Sequence, residues 1–325
     1  MQVLTLNSTN PYLNLAIEEY LFLTCEEEVF MLWQNSPTVV IGKNQNAYAE
    51  INEKAVLDNG VFVARRITGG GAVYHDLGNI NYSFITPNAQ NKGIDFATFT
   101  TPIITALKNL GVDVSLQGRN DLITNDGKKV SGNAQHRIGD RVLHHGTLLF
   151  SSDLTFLDKV LKVDEEKLKS NAVKSTRSRV SNIKEYLPKD LSVKDFIEKL
   201  KESIINEYQA KIIDAPTCNE INDIYNRNAS KEYIFPEKPF LNDYTLTNKK
   251  RYPFGTIETF VKMSGKVIES VKFQGDFFGV KPISELELLL KNAHVSDLNV
   301  LLDVVDLTEY VMGISKVELI ELITK

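Results

Sequence analysis

A chain of 325 residues with 42% apolar content is long enough for one large core and a second, smaller one. Its net charge of −5 offers no overall attraction for nucleic acid or an anionic membrane, so any anion binding has to be local. Cys25 and Cys218 lie far apart without a CxxC pattern, which argues against a disulfide framework or a thiolate zinc site. The first residues carry no basic segment, and no apolar run approaches the ~20 residues of a membrane span, so a cytoplasmic protein is expected.

In chain order, Leu13, Ala16, Ile17, Tyr20 and Leu21 fall at helical spacing after an Asn-Pro start, predicting an amphipathic helix over 10–23. VFMLWQN and TVVIGKN read as strands parted by Ser36-Pro37, and VFVARR and INYSFI alternate as strands on either side of a glycine-rich stretch. FATFTTPIITALKNLG is a helix closed by Gly111. The segment from Val114 to Ser151 reads as strands with turns at Asn125-Asp126-Gly127 and Gly139-Asp140. Helices are predicted over 154–168 and 193–208. The basic, Pro-bearing run from Asn248 to Pro253 marks a domain boundary, with residues 1–246 before it and a small unit, 247–325, after it. That unit shows a hairpin turning at Ser264-Gly265 and helices over 283–292 and 316–323. The pattern is α+β.

The richest stretch is RRITGGGAVYHDLGN, Arg65 to Asn79. Gly69, Gly70 and Gly71 permit positive φ and bring bare N–H groups against phosphate or carboxylate oxygens, while Arg65 and Arg66 offer planar guanidinium groups for the same anion. There is no GxxxxGK[ST], and the triplet precedes a strand rather than a helix, so neither the P-loop nor the dinucleotide fingerprint applies. Four of the five histidines, His75, His136, His144 and His145, fall in the same part of the chain. His144 and His145 are adjacent on a strand and point to opposite faces, so they do not share a metal; one is expected inward and the other outward. In NDGKKVSG, Lys129 stands at the head of an ordered strand and is better placed than Lys128 to aim an ammonium at the bound anion. The basic stretch holding Lys169, Lys174, Arg177 and Arg179 reads equally as a mobile surface loop and as a loop that closes over a polyphosphate.

Through LNLAIEEYL, IGKNQNAYAEIN, RRITGGGAVYHDLGN, GRNDL, KKVSGNAQ, HHGTLL and STRSRVSN, in order and at matching spacing, the chain resembles the lipoate–protein ligase family from end to end. The resemblance implies a catalytic domain like those of class II synthetases and biotin ligases, with mixed, largely antiparallel sheets, and a small α+β accessory domain at the carboxy terminus. It implies an enzyme that activates lipoate with ATP to lipoyl-AMP, releases pyrophosphate, and passes the lipoyl group to one lysine of an apo lipoyl domain, of the glycine-cleavage H protein or a 2-oxoacid dehydrogenase E2 subunit. Carried over by position, the lipoate- and adenylate-contacting loop matches Arg66, Thr68, Gly71, Ala72, Val73, Tyr74, His75 and Asn79. Thr68 stands where many members have Ser and keeps the hydroxyl. The lysine of KVSG is Lys129, the histidine of HHGT is His145, and Asp121 falls on the nucleotide side. STRSRVSN matches the adenylate-binding loop, which brings in Arg177 and Arg179 and favours closure. No protein metal site is implied; Mg²⁺ is expected through the nucleotide phosphates. Trp33, Val39 and Val73 are candidates for the apolar slot of the lipoyl tail. The expected enzyme is a monomer with no nucleic-acid or membrane partner. Rival readings are an octanoyltransferase that works without ATP through a cysteine, which a chain lacking cysteine between Cys25 and Cys218 disfavours; a biotin ligase, disfavoured by the absent GRGRxG loop; and a non-catalytic lipoate-binding protein, disfavoured by Lys129.

Overall fold

The computed structural model describes residues 1–90, 93–162, 180–236 and 243–325. An eight-stranded mixed sheet dominates it. Its members are β1 (Gln2–Thr5), β2 (Val29–Trp33), β6 (Asn79–Thr86), β7 (Val114–Gln117), β8 (Asp121–Thr124), β9 (Lys129–Ile138), β10 (Arg141–Leu149) and β11 (Lys211–Ile212), in the order β11-β1-β2-β6-β10-β9-β8-β7. β1 runs parallel to β2 and β11; the other pairs are antiparallel. A second, three-stranded sheet has β3 (Thr38–Ile41) between β4 (Phe62–Arg65), parallel to it, and β5 (Val73–His75), antiparallel.

Both faces of the large sheet are covered. On one, the helices Phe96–Asn109 and Val193–Tyr208 pack Ile103, Leu107, Phe196 and Leu200 over Phe30, Tyr82 and Phe84. On the other, helix α1 (Pro11–Thr24) sets Leu15, Ile17 and Phe22 against Met31, Trp33 and Ile85. The unbroken apolar run VFMLW, buried at all five positions, follows from this double cover. α1 begins where the sequence says: Asn10 Oδ1 accepts from the amides of Tyr12 and Leu13, and Pro11 takes the first helical position. Its expected amphipathic character is corrected. Asn14, Glu18 and Glu19 are buried too: Glu18 turns onto Ser83 and His145 of the large sheet, Asn14 bonds Ser8, Gln34 and Asn35, and Glu19 is covered by Arg227 of the helix Asn219–Ala229 on the outer side. Gly111 takes φ +87 just past the helix that it closes.

The run from Asn248 to Pro253 lies mostly within β12 (Leu246–Tyr252), the edge of an antiparallel sheet with β13 (Gly255–Ser264) and β14 (Val267–Gly275), which turn at Gly265. Its lysines face solvent as edge charges, while Tyr252 enters a core of its own with Val261, Leu286, Leu298 and Leu319. The helices Ile283–Leu290 and Lys316–Thr324 cover that sheet. The end of β14 and the residues after it reach back to the glycine bend. The amide of Gly275 donates to Asn44 O at 2.9 Å and that of Gly70 to Phe277 O at 3.4 Å.

Candidate active site

A cavity of about 230 Å³ opens between the large sheet and the three-stranded one. Its floor is a single row of residues crossing five strands. Trp33 of β2 pairs with Asn81 of β6, and Asn81 with Thr147 of β10. Thr147 Oγ1 accepts from the amide of Gly132 on β9 at 3.1 Å, and Gly132 pairs with Asp121 of β8. Four inter-strand steps make this row roughly 19 Å long. The row grades from an indole to a carboxylate, so the cavity has an apolar end and a charged end. Leu15 and Val40 complete the apolar end; Lys129, Arg119 and Asp276 line the charged one.

The roof is the bend from Arg66 to Ala72, held by Arg66 itself. Its Nε donates to Thr68 Oγ1 at 2.9 Å, Nη1 to Val40 O at 3.2 Å, and Nη2 to Gly69 O and Gly71 O at 2.7 and 2.8 Å. Burial pushes its pKa down to about 10, so it remains a cation at neutral pH. The expectation that Arg65 grips an anion is corrected, because it points away from the bend. Three of Arg66's five N–H groups bond within the bend and a fourth ties it to Val40 of β3. Arg65 donates to the carbonyls of Gly42, Lys43, Gln45, Tyr233 and Ile234 and fastens β4 to its neighbours. Adjacent strand residues face opposite sides, so only one of the two could reach the cavity.

Gly70 has φ +90, and the chain around it is closely approached. A Cβ at Gly69 would lie 2.4 Å from Phe277 O, and one at Gly70 would lie 2.9 Å from Phe278 Cζ. Phe278 is clamped in turn by the Arg119 guanidinium, 4.4 Å from its ring centroid. Arg119 also donates to Phe254 O and to Asp276 O. Thus the carboxy-terminal unit supplies part of the roof and one carboxylate of the lining.

Lys129 Nζ sits 2.8 Å from Asp121 Oδ1 with both side chains about one-third exposed, 34% and 32%. A pair this open to solvent is worth ~0–1 kcal/mol, so the ammonium can leave Asp121 for a more negative partner at little cost. Lys128, by contrast, lines a separate surface cleft with Asp126 and Tyr186.

The expectation of one inward and one outward histidine is corrected: both are buried, on opposite faces of a doubly covered sheet. His145 joins the roof to the floor. Its Nε2 is 2.8 Å from Thr68 Oγ1, and its Nδ1 is 3.0 and 3.1 Å from the two Glu18 oxygens. Glu18 also accepts from Ser83 Oγ at 2.5 Å, and Ser83 Oγ from Trp33 Nε1 at 3.0 Å. His144 stacks on Phe99 at 5.1 Å in the opposite core. Burial pushes His75, His136 and His144 each down to about 3 from 6.5. The folded state holds them neutral while the unfolded chain binds protons, so their contribution is complete above pH 6.5 and is lost as pH falls toward 3. Urea unfolding at pH 7, 6 and 5 is expected to show stability falling with pH, by roughly half a kcal/mol per histidine from pH 7 to 6 and about 1 kcal/mol from pH 6 to 5. A flat profile would refute their buried neutral state.

Of the residues singled out in the sequence, Arg66, Gly71, Ala72, Val73, His75, Asp121, Lys129, His145 and Trp33 line the cavity. Thr68 stands behind it, bonded to Arg66 and His145. Tyr74 does not reach it: on β5 it alternates with Val73 and His75 and turns to the core, its ring 5.5 Å from Phe156. Val39 packs in that same core, and its neighbour Val40 takes the cavity position instead. Asn79 lies one strand repeat behind the floor and donates to Asn81 Oδ1 at 2.9 Å. Arg177 and Arg179 lie outside the described residues. Sequence reading missed Glu18, Asn81, Arg119 and Asp276. For Glu18 and Asn81 a signal existed, polar residues inside otherwise apolar runs; for Asp276 there was none, since its approach is set by how the carboxy-terminal unit docks.

The family model of the lipoyl protein ligase A/B catalytic domain matches residues 10–205, and that of the bacterial lipoate protein ligase C-terminus matches residues 242–323. The chain is 40% identical to lipoate-protein ligase LplJ of Bacillus subtilis and 36% identical to lipoate–protein ligase 1 of Staphylococcus aureus, in each case over 98% of both chains. Among solved structures it is similar to LipL1 of P. falciparum in complex with lipoate, with a TM-score of 0.79, 28% identity and 94% of each chain covered. With two family models in tandem, relatives matched over nearly their whole length, and a cavity apolar at one end and charged at the other, the chain belongs to the lipoate–protein ligase family.

Proposed function

We propose that lipoate lies along the floor row, its tail between Trp33, Leu15 and Val40 and its carboxylate beside Lys129, which bridges that carboxylate to the α-phosphate of ATP. The chain is an ATP-dependent lipoate–protein ligase. A carboxylate oxygen attacks the α-phosphorus, pyrophosphate leaves, and lipoyl-AMP forms. The acceptor's ε-amine then attacks the carbonyl carbon, AMP departs with the bonding electrons, and the amine sheds a proton as the amide forms. Both steps build negative charge on the α-phosphate oxygens, where an ammonium held in place does most good. The observation that carries the reading is that Lys129 and the glycine bend border one cavity whose far end is apolar. Ala72 and Val73 close the roof over the acyl chain, Asp121 and Asp276 face the nucleotide, and Glu18, His145 and Thr68 position Arg66.

Asp121 or Asp276, at the charged end, would hold Mg²⁺ brought in with the nucleotide phosphates, where it would neutralise charge on the phosphoryl oxygens. Residues 1–246 form the catalytic part and 247–325 the accessory part. One chain supplies both floor and roof, which supports a working monomer, and a nucleotide substrate supports a cytoplasmic setting. The acceptor is a lipoyl domain, of the glycine-cleavage H protein or a 2-oxoacid dehydrogenase E2 subunit. A cysteine acyl-enzyme is disfavoured because Cys25 lies beside Arg141 and Cys218 precedes the helix Asn219–Ala229, both away from the cavity lining. Incubating the enzyme with lipoate and an apo lipoyl domain is expected to give a mass gain on the acceptor only when ATP is present. Modification without nucleotide would overturn the ligase reading.

A further inference from the structure

At the apolar end of the cavity one buried proton has no acceptor, and its position can be derived from a chain of side-chain amides. Asn14 Nδ2 lies 3.0 Å from Ser8 O, 2.8 Å from Gln34 O and 3.0 Å from Asn35 Oδ1. The two backbone carbonyls only accept, so that end of Asn14 is its NH₂ group. Asn35 therefore turns its oxygen toward Asn14 and its NH₂ toward His75, donating to Nδ1 at 3.1 Å. With Nδ1 accepting, the neutral ring carries its hydrogen on Nε2. Burial, which pushes the ring down to about 3, keeps it neutral at working pH. Nε2 is fully buried, and among the described residues it has no hydrogen-bond partner, although the ring lines the cavity. Asn81 repeats the situation. Its Oδ1 accepts from Asn79, which leaves its Nδ2 buried and unpartnered on the floor row. The indole N–H beside them is satisfied by Ser83, so unmet donors are not general at this end.

Resting on the proposed placement of the acyl tail, we propose that the Nε2–H of His75, assisted by the Nδ2 of Asn81, donates a hydrogen bond to a dithiolane sulfur of lipoate and so selects it over an unsubstituted fatty acid of equal length. Asn14 and Asn35 are positioning residues that fix the His75 tautomer. A disulfide sulfur, like that of a thioether, is a weak acceptor, but an alkyl chain offers none, and filling this end with C–H groups leaves buried donors unmet. Sites built to hydrogen-bond a substrate atom reject the analogue that lacks it for this reason.

The test compares kcat/KM for pyrophosphate release with lipoate and with octanoate in the full-length enzyme. The wild type is expected to favour lipoate, and His75→Phe to lower that ratio about tenfold, the scale of an unmet buried donor. His75→Gln, whose amide NH₂ reaches the place of Nε2–H, should hold the ratio close to the wild-type value. Asn35→Asp, which accepts from Nδ1 and moves the proton off Nε2, should lower the ratio with the ring still in place. Nitrogen-15 spectra of the wild type supply a readout that needs no variant: protonated Nε2 and bare Nδ1 at His75, with Nε2 shifted by lipoate and not by octanoate. A ratio unchanged in His75→Phe, or a proton found on Nδ1, overturns the inference. A wild type that releases no pyrophosphate with either acid overturns the ligase reading instead, and the tautomer measurement still stands.

Discussion

Lys129→Ala is expected to lower lipoyl-adenylate formation by about 10²–10³-fold, the scale seen when one preorganised electrostatic donor is removed from a transition state. The loss falls on the chemical step because, among the described residues, the ammonium is the one mobile cation at the charged end. Arg66 is committed to the bend through Thr68, Val40, Gly69 and Gly71, and Arg119 is committed to Phe254, Asp276 and the Phe278 ring. Stability should barely move, since the side chain is one-third exposed and its pairing with Asp121 is a solvated one. ATP–pyrophosphate exchange measured beside thermal unfolding separates the two effects. Near-normal exchange in a folded variant would show that the role belongs to another group.

Gly70→Val is the second large effect, and it acts through the backbone. At φ +90 a β-branched residue is strained by on the order of 1–3 kcal/mol. The new Cβ would also lie 2.9 and 3.0 Å from Phe278 ring carbons and 3.1 Å from Arg66 Nη2, which adds overpacking of about 1–3 kcal/mol. The two push in one direction. Either the bend shifts and Arg66 loses the carbonyls of Gly69 and Gly71, or Phe278 is expelled and the carboxy-terminal unit leaves the roof. Loss of about 2–6 kcal/mol in urea unfolding is expected, together with weakened lipoate binding by titration calorimetry. Unaltered affinity would count against a tight bend. Gly70→Ala, which brings the same φ penalty without branching, should fall between the two.

Much of this site was legible before any coordinates. The glycine triplet between two alternating runs marked the bend, because strand periodicity on both sides makes a loop rigid rather than loose. Lys129 was legible as the lysine at the head of a strand. Three differences share one cause, the period of two along a strand: the rule that splits His144 from His145 equally splits Arg65 from Arg66, Val39 from Val40, and Tyr74 from Val73 and His75. It also misled in one respect. A strand in a doubly covered sheet has no solvent face, so His144 and His145 are both buried. The strand at Asn248 to Tyr252 is hidden behind the reading of a domain boundary because an edge strand carries its charges on a solvent face, and only Tyr252 shows the core side. Asp276 and Phe278 were out of reach for a different reason. Their place at the bend depends on how two separately cored units dock, which no local pattern encodes.

The central claim is that Lys129 and the glycine bend serve one acyl-phosphate pocket. Its most direct test is a crystal structure of the enzyme with the non-hydrolysable sulfamate analogue of lipoyl-AMP. The expected result has the sulfamate under the bend, Lys129 Nζ turned from Asp121 to hydrogen-bond it, and the lipoyl tail running over Asn81 to Trp33. An analogue bound outside the bend, with Lys129 still paired to Asp121, would contradict the account.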